Sequence, residues 1–296
     1  MVPLSVRRLA LVSLHTSPLT QPGAGDSGGM NVYVRELTSS LAQAGVDCTV
    51  YVRRWQHDLP DEVLVEPGFR VVHVAAGDPR LPKEELPGIV DVFSDGVADR
   101  ILEGDRPDAL LANYWLSGVT GHTLKHRLDL PLLTIFHTLA RVKAETGDPE
   151  PEERMAAETA VVACSDVLLA NADEEAQQLV RLYGADPSRV EIVPPGVDHA
   201  FFAPGSQAGA RAALELGAGP VLLFVGRIQP LKGVDLAVRV LAELGRPDAR
   251  LLVVGGASGA DGDHELAKVQ ALVAELGLDG QVVFVPPQPH HRLATF

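Results

Sequence analysis

The sequence predicts an α/β protein made of two doubly wound domains. Three observations carry this. Apolar runs of strand length alternate with helix-length amphipathic segments along the whole chain. The alternation breaks once, at a polar, proline-rich stretch near 199–210, and then restarts. The length, 296 residues, exceeds what one ordinary core fills.

Each element has its own signal. RRLALVSL (7–14) reads as a buried strand, and NVYVRELTSSLAQAG (31–45) as an amphipathic helix stopped by Gly45. DCTVYVRR (47–54) and FRVVHVAAG (69–77) are strands, and LPGIVDVFSDGVADRILEG (86–104) is a helix. PDALLANYW (107–115) leads into a further strand, LPLLTIFHT (130–138), which ends on a polar His-Thr pair. PEERMAAETAVVACSD (151–166) starts with proline at the first helical position. DVLLAN (166–171), a helix over 173–184 and RVEIVPPGVD (189–198) complete the first domain, expected over 1–198. Within the second, 199–296, PVLLFVGR (220–227), ARLLVVGG (249–256) and QVVFVP (281–286) are strands. KGVDLAVRVLAELG (232–245) and HELAKVQALVAELG (264–277) are the helices between them. Strands joined by crossover helices make parallel sheets, which bind ligands beyond the carboxyl ends of their strands. The sequence stops at Phe296, where a further helix should begin, so the second domain is expected to be incomplete.

Composition narrows the function. Hydrophobic residues make up 46% and charged residues 22%, a soluble globular profile. The formal net charge of −14 argues against nucleic acid or an anionic membrane as partner, so any bound phosphate must be captured by a few local cations. The two cysteines, Cys48 and Cys164, are each placed in a core element and exclude a disulfide framework, which suits a cytoplasmic location. No apolar run reaches the roughly 20 residues that span a bilayer.

Several constellations carry chemistry. In HTSPLTQPGAGDSGGMNVYV (15–34), Gly28 and Gly29 precede a helix, where backbone N–H groups can face a phosphate or sugar hydroxyl. A long glycine loop without a ligand is the alternative, and no GxGxxG closes the turn. FVGRIQPLKG (224–233) puts Arg227 and Lys232 five residues apart between a strand and a helix, a place for a diphosphate, or simply surface charge. Lys83 precedes Glu84 and Glu85 at a helix start, unfavourable for the helix dipole, so a local salt bridge would account for it. Arg154 has the similar option of an (i, i+4) pair with Glu158. His137 ends an apolar strand, where a satisfied buried histidine is the ordinary outcome. Asp261-Gly262-Asp263 spells the DxD of metal-dependent transferases but lies in a polar turn, and the adjacent His290 and His291 do not make a metal site.

HTSPL, QPG, GDSGGMNVYV, AAG with KEELP, YWLSG, HTLARVK, Arg154 with Glu158, VPPGVD with FFAPG, FVGRIQPLKG and GGASG occur in one order over essentially the whole chain. In these the sequence resembles the family-4 retaining glycosyltransferases of the GT-B fold. The resemblance implies two Rossmann-like domains, the first binding acceptor and the second nucleotide sugar. It implies transfer of N-acetylglucosamine from UDP-GlcNAc, with retention, onto a phosphorylated polyol such as 1D-myo-inositol 3-phosphate, a step of mycothiol biosynthesis. It assigns Lys83, Tyr114, Thr138 and Arg154 to the acceptor phosphate and Asn31 to the acceptor. Arg227 and Lys232 become the leaving-group clamp, Gly28 and Gly29 join the donor side, and His137 faces the transferred sugar. No cofactor and no metal is implied, and a homodimer is compatible with it.

Departures from the family pattern are specific. Asn113 stands where mycothiol-forming members carry histidine, Ala144 replaces an asparagine, and Gln288 stands where an arginine is expected near the nucleotide. The E-x7-E pair that holds ribose and donor sugar is not reached before Phe296, so little transfer is expected from this length of chain. Two alternatives stand beside this reading. One is a sucrose-phosphate-synthase-like transferase, similar at the glycine loop and KEEL. The other is a non-catalytic domain that binds a phosphorylated polyol.

Overall fold

In the computed structural model, which describes residues 6–21, 28–145, 147–148, 150–258 and 262–296, parallel strands alternate with helices. Two units form: Met1–Ser17 with Tyr33–Gly196, and Pro18–Val32 with Val197–Phe296.

The first unit is built on β1 (Arg8–Ser13), buried from its second residue onward, followed by α1 (Gly29–Gln43), which belongs to this unit from Tyr33 onward. Then come β2 (Asp47–Arg53), β3 (Glu62–Glu66), β4 (Phe69–Val74), α2 (Val90–Glu103), β5 (Ala109–Asn113) and α3 (Trp115–Leu128). β6 (Leu132–Ile135), α4 (Ala140–Glu145), α5 (Glu152–Cys164), β7 (Val167–Ala170), α6 (Asp173–Tyr183) and β8 (Val190–Ile192) complete it. The sheet order is β3-β4-β2-β1-β5-β6-β7-β8, parallel throughout except for β3, which pairs antiparallel with β4 at the edge. From β1 the chain moves outward through β2 and β4, then returns to pair β5 on the other side of β1. The order reverses between β1 and β5, and such a switch point opens a crevice beyond the strand ends. The residues after β1, β5 and β6 therefore converge.

Two elements differ from the sequence expectation. β3 is a short edge strand in an acidic stretch. More consequentially, Asn113 leads not directly to the next strand but into α3. That helix buries Ser117, Gly118, Thr120 and Gly121 beside Leu116, Leu124 and Leu128, so it carries no apolar stripe of helical period. Its small residues permit close packing: a Cβ at Gly118 would lie 2.9 Å from Val161 Cγ1 of α5. Against the same region, Phe136, Val161, Val162, Leu168 and Leu179 form one buried cluster that fixes α5 and α6 beside β6 and β7.

The second unit contains α7 (Gln207–Ala213), β9 (Val221–Val225), α8 (Val234–Leu244), β10 (Arg250–Val254), α9 (Gly262–Glu275), β11 (Val282–Val285) and α10 (His290–Leu293). Its strands run parallel in the order β11-β10-β9. Val234, Val238 and Leu241 of α8 and Val269 of α9 pack on Leu251 and Val253 of β10. α7 begins inside the stretch expected to be irregular, capped by the Ser206 side chain accepting from Gly209 N. Among the described residues no helix is long and apolar enough to cross a membrane.

Candidate active site

Backbone strain marks two strand ends in the first unit. Among the described residues four non-glycines have positive φ, and two of them are Tyr114 at 78°, after β5, and His137 at 61°, after β6. Left-handed conformations at such residues cost on the order of 1–3 kcal/mol and persist only where the surroundings impose them. Here the Tyr114 N–H donates to Ile135 O at 2.8 Å, so the two strand ends hold one another.

The Tyr114 ring is the hub of a basic cluster. The Arg154 guanidinium lies 5.1 Å from its centroid and the Lys83 ammonium 6.0 Å. Arg154, on the first turn of α5, is only 5% exposed. Its Nε donates to Glu158 Oε1 at 2.8 Å, its Nη1 pairs with Glu150 Oε1 at 3.0 Å, and its Nη2 donates to Thr138 Oγ1 at 3.2 Å. The (i, i+4) pair with Glu158 is therefore real, but buried, and it coexists with a fork held beside Tyr114 and Thr138. Lys83 behaves differently. It is exposed at the start of a 3-10 turn, Lys83–Ile89, and makes no ion pair with Glu84 or Glu85. The salt bridge that would have explained it is absent among the described residues.

Glu158 and Tyr183 are the residues that sequence reasoning undervalued. Glu158 is fully buried and accepts from Arg154, from the Ala140 N–H at 2.9 Å and from the Tyr183 hydroxyl. A carboxylate that collects three donors is a rigid anchor, and through Ala140 it also fixes the turn that begins at His137. Burial, followed by the hydrogen bond to Glu158, pushes the Tyr183 hydroxyl well above its ordinary pKa. The signal was available in the sequence: an acid within the apolar run of α5.

His137 is half-buried, its ring edge-on to Tyr33 with centroids 5.0 Å apart. Burial pushes its pKa down to about 4, so the imidazole is neutral near neutral pH. Its Nε2 lies 3.3 Å from Asn113 Oδ1, which assigns that nitrogen as the donor. Asn113 is itself buried, and its amide nitrogen has no hydrogen-bond partner among the described residues. An orphaned buried donor beside a strained strand end is what a site leaves open for a polar ligand group.

In the second unit Gly28 meets Arg227, which follows β9. A Cβ at Gly28 would lie 3.4 Å from Arg227 Nε, so the guanidinium packs over this glycine. Gly29 has open space at the same test. The Gly28 N–H donates to Asn31 Oδ1 at 3.0 Å, and Asn31 Nδ2 donates to Thr20 Oγ1 at 2.8 Å. Asn31 is thus buried and braces the loop with its own amide. Residues 25–27 of the GDSGG motif lie outside the described residues, as does Asp261 of the DxD spelling. Arg227 is half-buried, and Lys232 is exposed at the end of the 3-10 turn Pro230–Lys232, ahead of Gly233 and α8. Neither cation is in an ion pair among the described residues, so surface pairing does not account for them. After the strands, backbone meets backbone closely: a Cβ at Gly255 would lie 1.8 Å from Gly226 O. No side chain fits there, which keeps the ends of β9 and β10 close.

Comparisons with known proteins identify the family and the fold. A family model described as Glycosyltransferase Family 4 matches residues 27–201, and one described as Glycosyl transferases group 1 matches residues 209–296. The chain is 45% identical to the D-inositol 3-phosphate glycosyltransferase of Acidothermus cellulolyticus, over 99% of this chain and 68% of that protein. It is 46% identical to the enzyme of the same name from Kineococcus radiotolerans, over 98% of this chain and 70% of that one. Among solved structures, sucrose-phosphate synthase from Thermosynechococcus elongatus superposes with a TM-score of 0.89 at 29% identity, covering 98% of this chain and 72% of that chain. HepE of Anabaena, in complex with UDP and glucose, shares the fold at a TM-score of 0.70 and 14% identity, over 95% of this chain and 70% of that one. Fold and family together define a glycosyltransferase of the GT-B class. The chain belongs to glycosyltransferase family 4.

Proposed function

We propose that this glycosyltransferase moves N-acetylglucosamine from UDP-GlcNAc, with retention, onto a phosphorylated polyol of the 1D-myo-inositol 3-phosphate type. The observation that carries the reading is the set around Tyr114: a buried, oriented guanidinium, a free ammonium and a hydroxyl, in a chain of net charge −14. Arg154 is oriented by Glu150 and Glu158, while the Lys83 ammonium is left without an ion pair among the described residues at a strand-end crevice, where it can meet an anion. Lys83, Tyr114, Thr138 and Arg154 take the acceptor phosphate, and the first unit is the acceptor domain. The names of the relatives support the inositol phosphate. Asn31 serves the acceptor by holding the glycine loop in shape.

The second unit is the donor domain. Arg227 and Lys232 neutralise the departing diphosphate beside Gly28 and Gly29, which is electrostatic stabilisation by preorganised cations. The bond from the sugar's anomeric carbon to the diphosphate oxygen breaks, and the acceptor hydroxyl bonds to that carbon from the same face. Its proton passes to the departing phosphate. Neutral His137, whose Nε2–H is given to Asn113, accepts a hydrogen bond from a donor-sugar hydroxyl at Nδ1.

The test is calorimetric binding to the full chain of inositol 3-phosphate, free myo-inositol and fructose 6-phosphate, followed by a UDP-release assay with the binder. Selective binding of inositol 3-phosphate is the expected result. Equal affinity for free myo-inositol would overturn the phosphate-directed site. The likeness to sucrose-phosphate synthase favours a second reading, a sugar-phosphate acceptor, which preference for fructose 6-phosphate would select.

A further inference from the structure

On the flank of the first unit, α3 carries His122 and His126 one turn apart, and Cys164 closes α5 beside them. One ligand atom from each of the three lies within 4.8 Å of the other two, and Cys164 Sγ is 3.4 Å from His126 Nε2. The imidazole centroids are 5.1 Å apart. The sequence placed Cys164 in the core, whereas the thiol is only half-buried, His122 likewise, and His126 is exposed. None of the three belongs to the acceptor or donor clusters. Tyr114 caps the opposite end of α3, roughly 12 Å along the axis from His122 at ~1.5 Å per residue.

We infer that His122, His126 and Cys164 form a binding site for a thiophilic divalent cation of the zinc type. Two histidines at i and i+4 on one helical face are a recurrent bidentate arrangement for zinc, and a thiolate is its preferred soft partner. A tetrahedral site with Zn–N of about 2.0–2.1 Å and Zn–S of about 2.3 Å needs ligand atoms roughly 3.3–3.6 Å apart. The Cys164–His126 pair already meets this, and rotamer shifts of about 1 Å bring in the third.

Lys125, between the histidines, is the obvious obstacle, but its ammonium is turned away onto the Cys164 carbonyl oxygen at 2.8 Å and the Asp166 carboxylate at 2.6 Å. That pairing offsets its charge. An open cavity of about 410 Å³, lined by Lys125, His126, Asp129, Leu130, Pro131 and Asp166, adjoins the cluster on the His126 side. On binding, the Cys164 thiol proton is released to solvent and a metal–sulfur bond replaces it. Three protein ligands tie the end of α5 to α3, so occupancy stiffens the helix that carries Arg154.

The experiment titrates the chelator-treated full chain with Zn²⁺ by calorimetry and with Co²⁺ by absorption, where a thiolate ligand gives a charge-transfer band. One equivalent, micromolar or tighter, with the thiolate band is the expected result. Cys164→Ser should abolish the band, and His126→Ala, at an exposed position that cannot disturb the core, should weaken binding by at least ~100-fold, as loss of a direct ligand exceeds the usual outer-shell effect. A double variant His290→Ala with His291→Ala should change neither. Binding that survives His126→Ala, lacks the thiolate band or disappears with the His290/His291 variant would overturn the assignment.

Discussion

Arg154 and Lys83 face the same tyrosine ring but are held in opposite ways, and their removal should therefore read differently. Arg154→Ala strips a buried carboxylate of its cation, and breaking such a pair costs about 3–5 kcal/mol. Lys83 is exposed and unpaired, so Lys83→Ala should stay within about 0.5 kcal/mol of the parent in denaturant melts. Both should weaken binding of the phosphorylated acceptor by roughly 10- to 100-fold, because a charge-assisted hydrogen bond contributes about 1.5–3 kcal/mol. Calorimetry beside a melt checks the pair, and a stable Lys83→Ala protein with unchanged affinity would remove Lys83 from the site. His137 yields a prediction of another kind. The folded chain keeps its imidazole neutral down to about pH 4, whereas an unfolded chain takes up the proton near pH 6.5. Between these values the unfolded state binds more protons, so stability rises with pH across the window. The contribution is complete above about pH 6.5 and is lost as pH falls towards 4, on the order of 3 kcal/mol in all. His137→Gln should flatten that part of the stability-versus-pH curve, and an unaltered slope would mean that the depressed pKa belongs to another group.

The spacing of α3 and α5 is set by the absence of a side chain. Gly118→Ala gains up to about 1 kcal/mol of helix propensity, yet its methyl would meet Val161 Cγ1 at 2.9 Å and Cγ2 at 3.3 Å. Valine cannot swing aside as a longer side chain would, and overpacking costs typically about 1–3 kcal/mol. A net loss of about 1–2 kcal/mol is expected, together with weaker acceptor binding, since α5 carries both Arg154 and Glu158. Unfolding midpoints and acceptor affinity measured on one preparation would show it; a stabilised variant with intact affinity would mean that α5 shifts freely. The same helix shows what the sequence could convey. Strands such as β1 and β10 were legible because burial on both faces leaves an unbroken apolar run. α3 was not, because close packing selected Ser117, Gly118, Thr120 and Gly121 for its buried side, and a periodic apolar signal needs large residues. The cations at strand ends were legible as charges, but not their pairing. Nothing in the spacing distinguishes Lys83, left free, from Arg154, held by Glu158 and Glu150. Likewise Asn31 could be located, but not its use as a brace between Gly28 and Thr20.

Across the whole molecule the charge balance opposes the ligands. The chain carries a net −14, and both a phosphorylated acceptor and a nucleotide diphosphate are anions, so on the proposed reading capture depends on Lys83, Arg154, Arg227 and Lys232 acting over a few ångströms. The two influences differ in range. At ~0.01 M ionic strength the screening length is about 30 Å, and the ligand feels the charge of the entire protein. At ~0.15 M it is about 8 Å, which suppresses the distant carboxylates far more than cations in direct contact. Raising the concentration of a weakly competing salt such as chloride across this range should therefore leave acceptor affinity unchanged or improve it. The association rate should rise, the reverse of a binding face that steers anions inward. Calorimetry and stopped-flow binding of inositol 3-phosphate at the two salt concentrations measure both quantities. A fall in affinity of tenfold or more would show that the field at the strand ends is positive well beyond contact distance. In that case further basic residues than the four named here, such as Arg53 or Arg141, would have to be drawn into the account of how the acceptor is held.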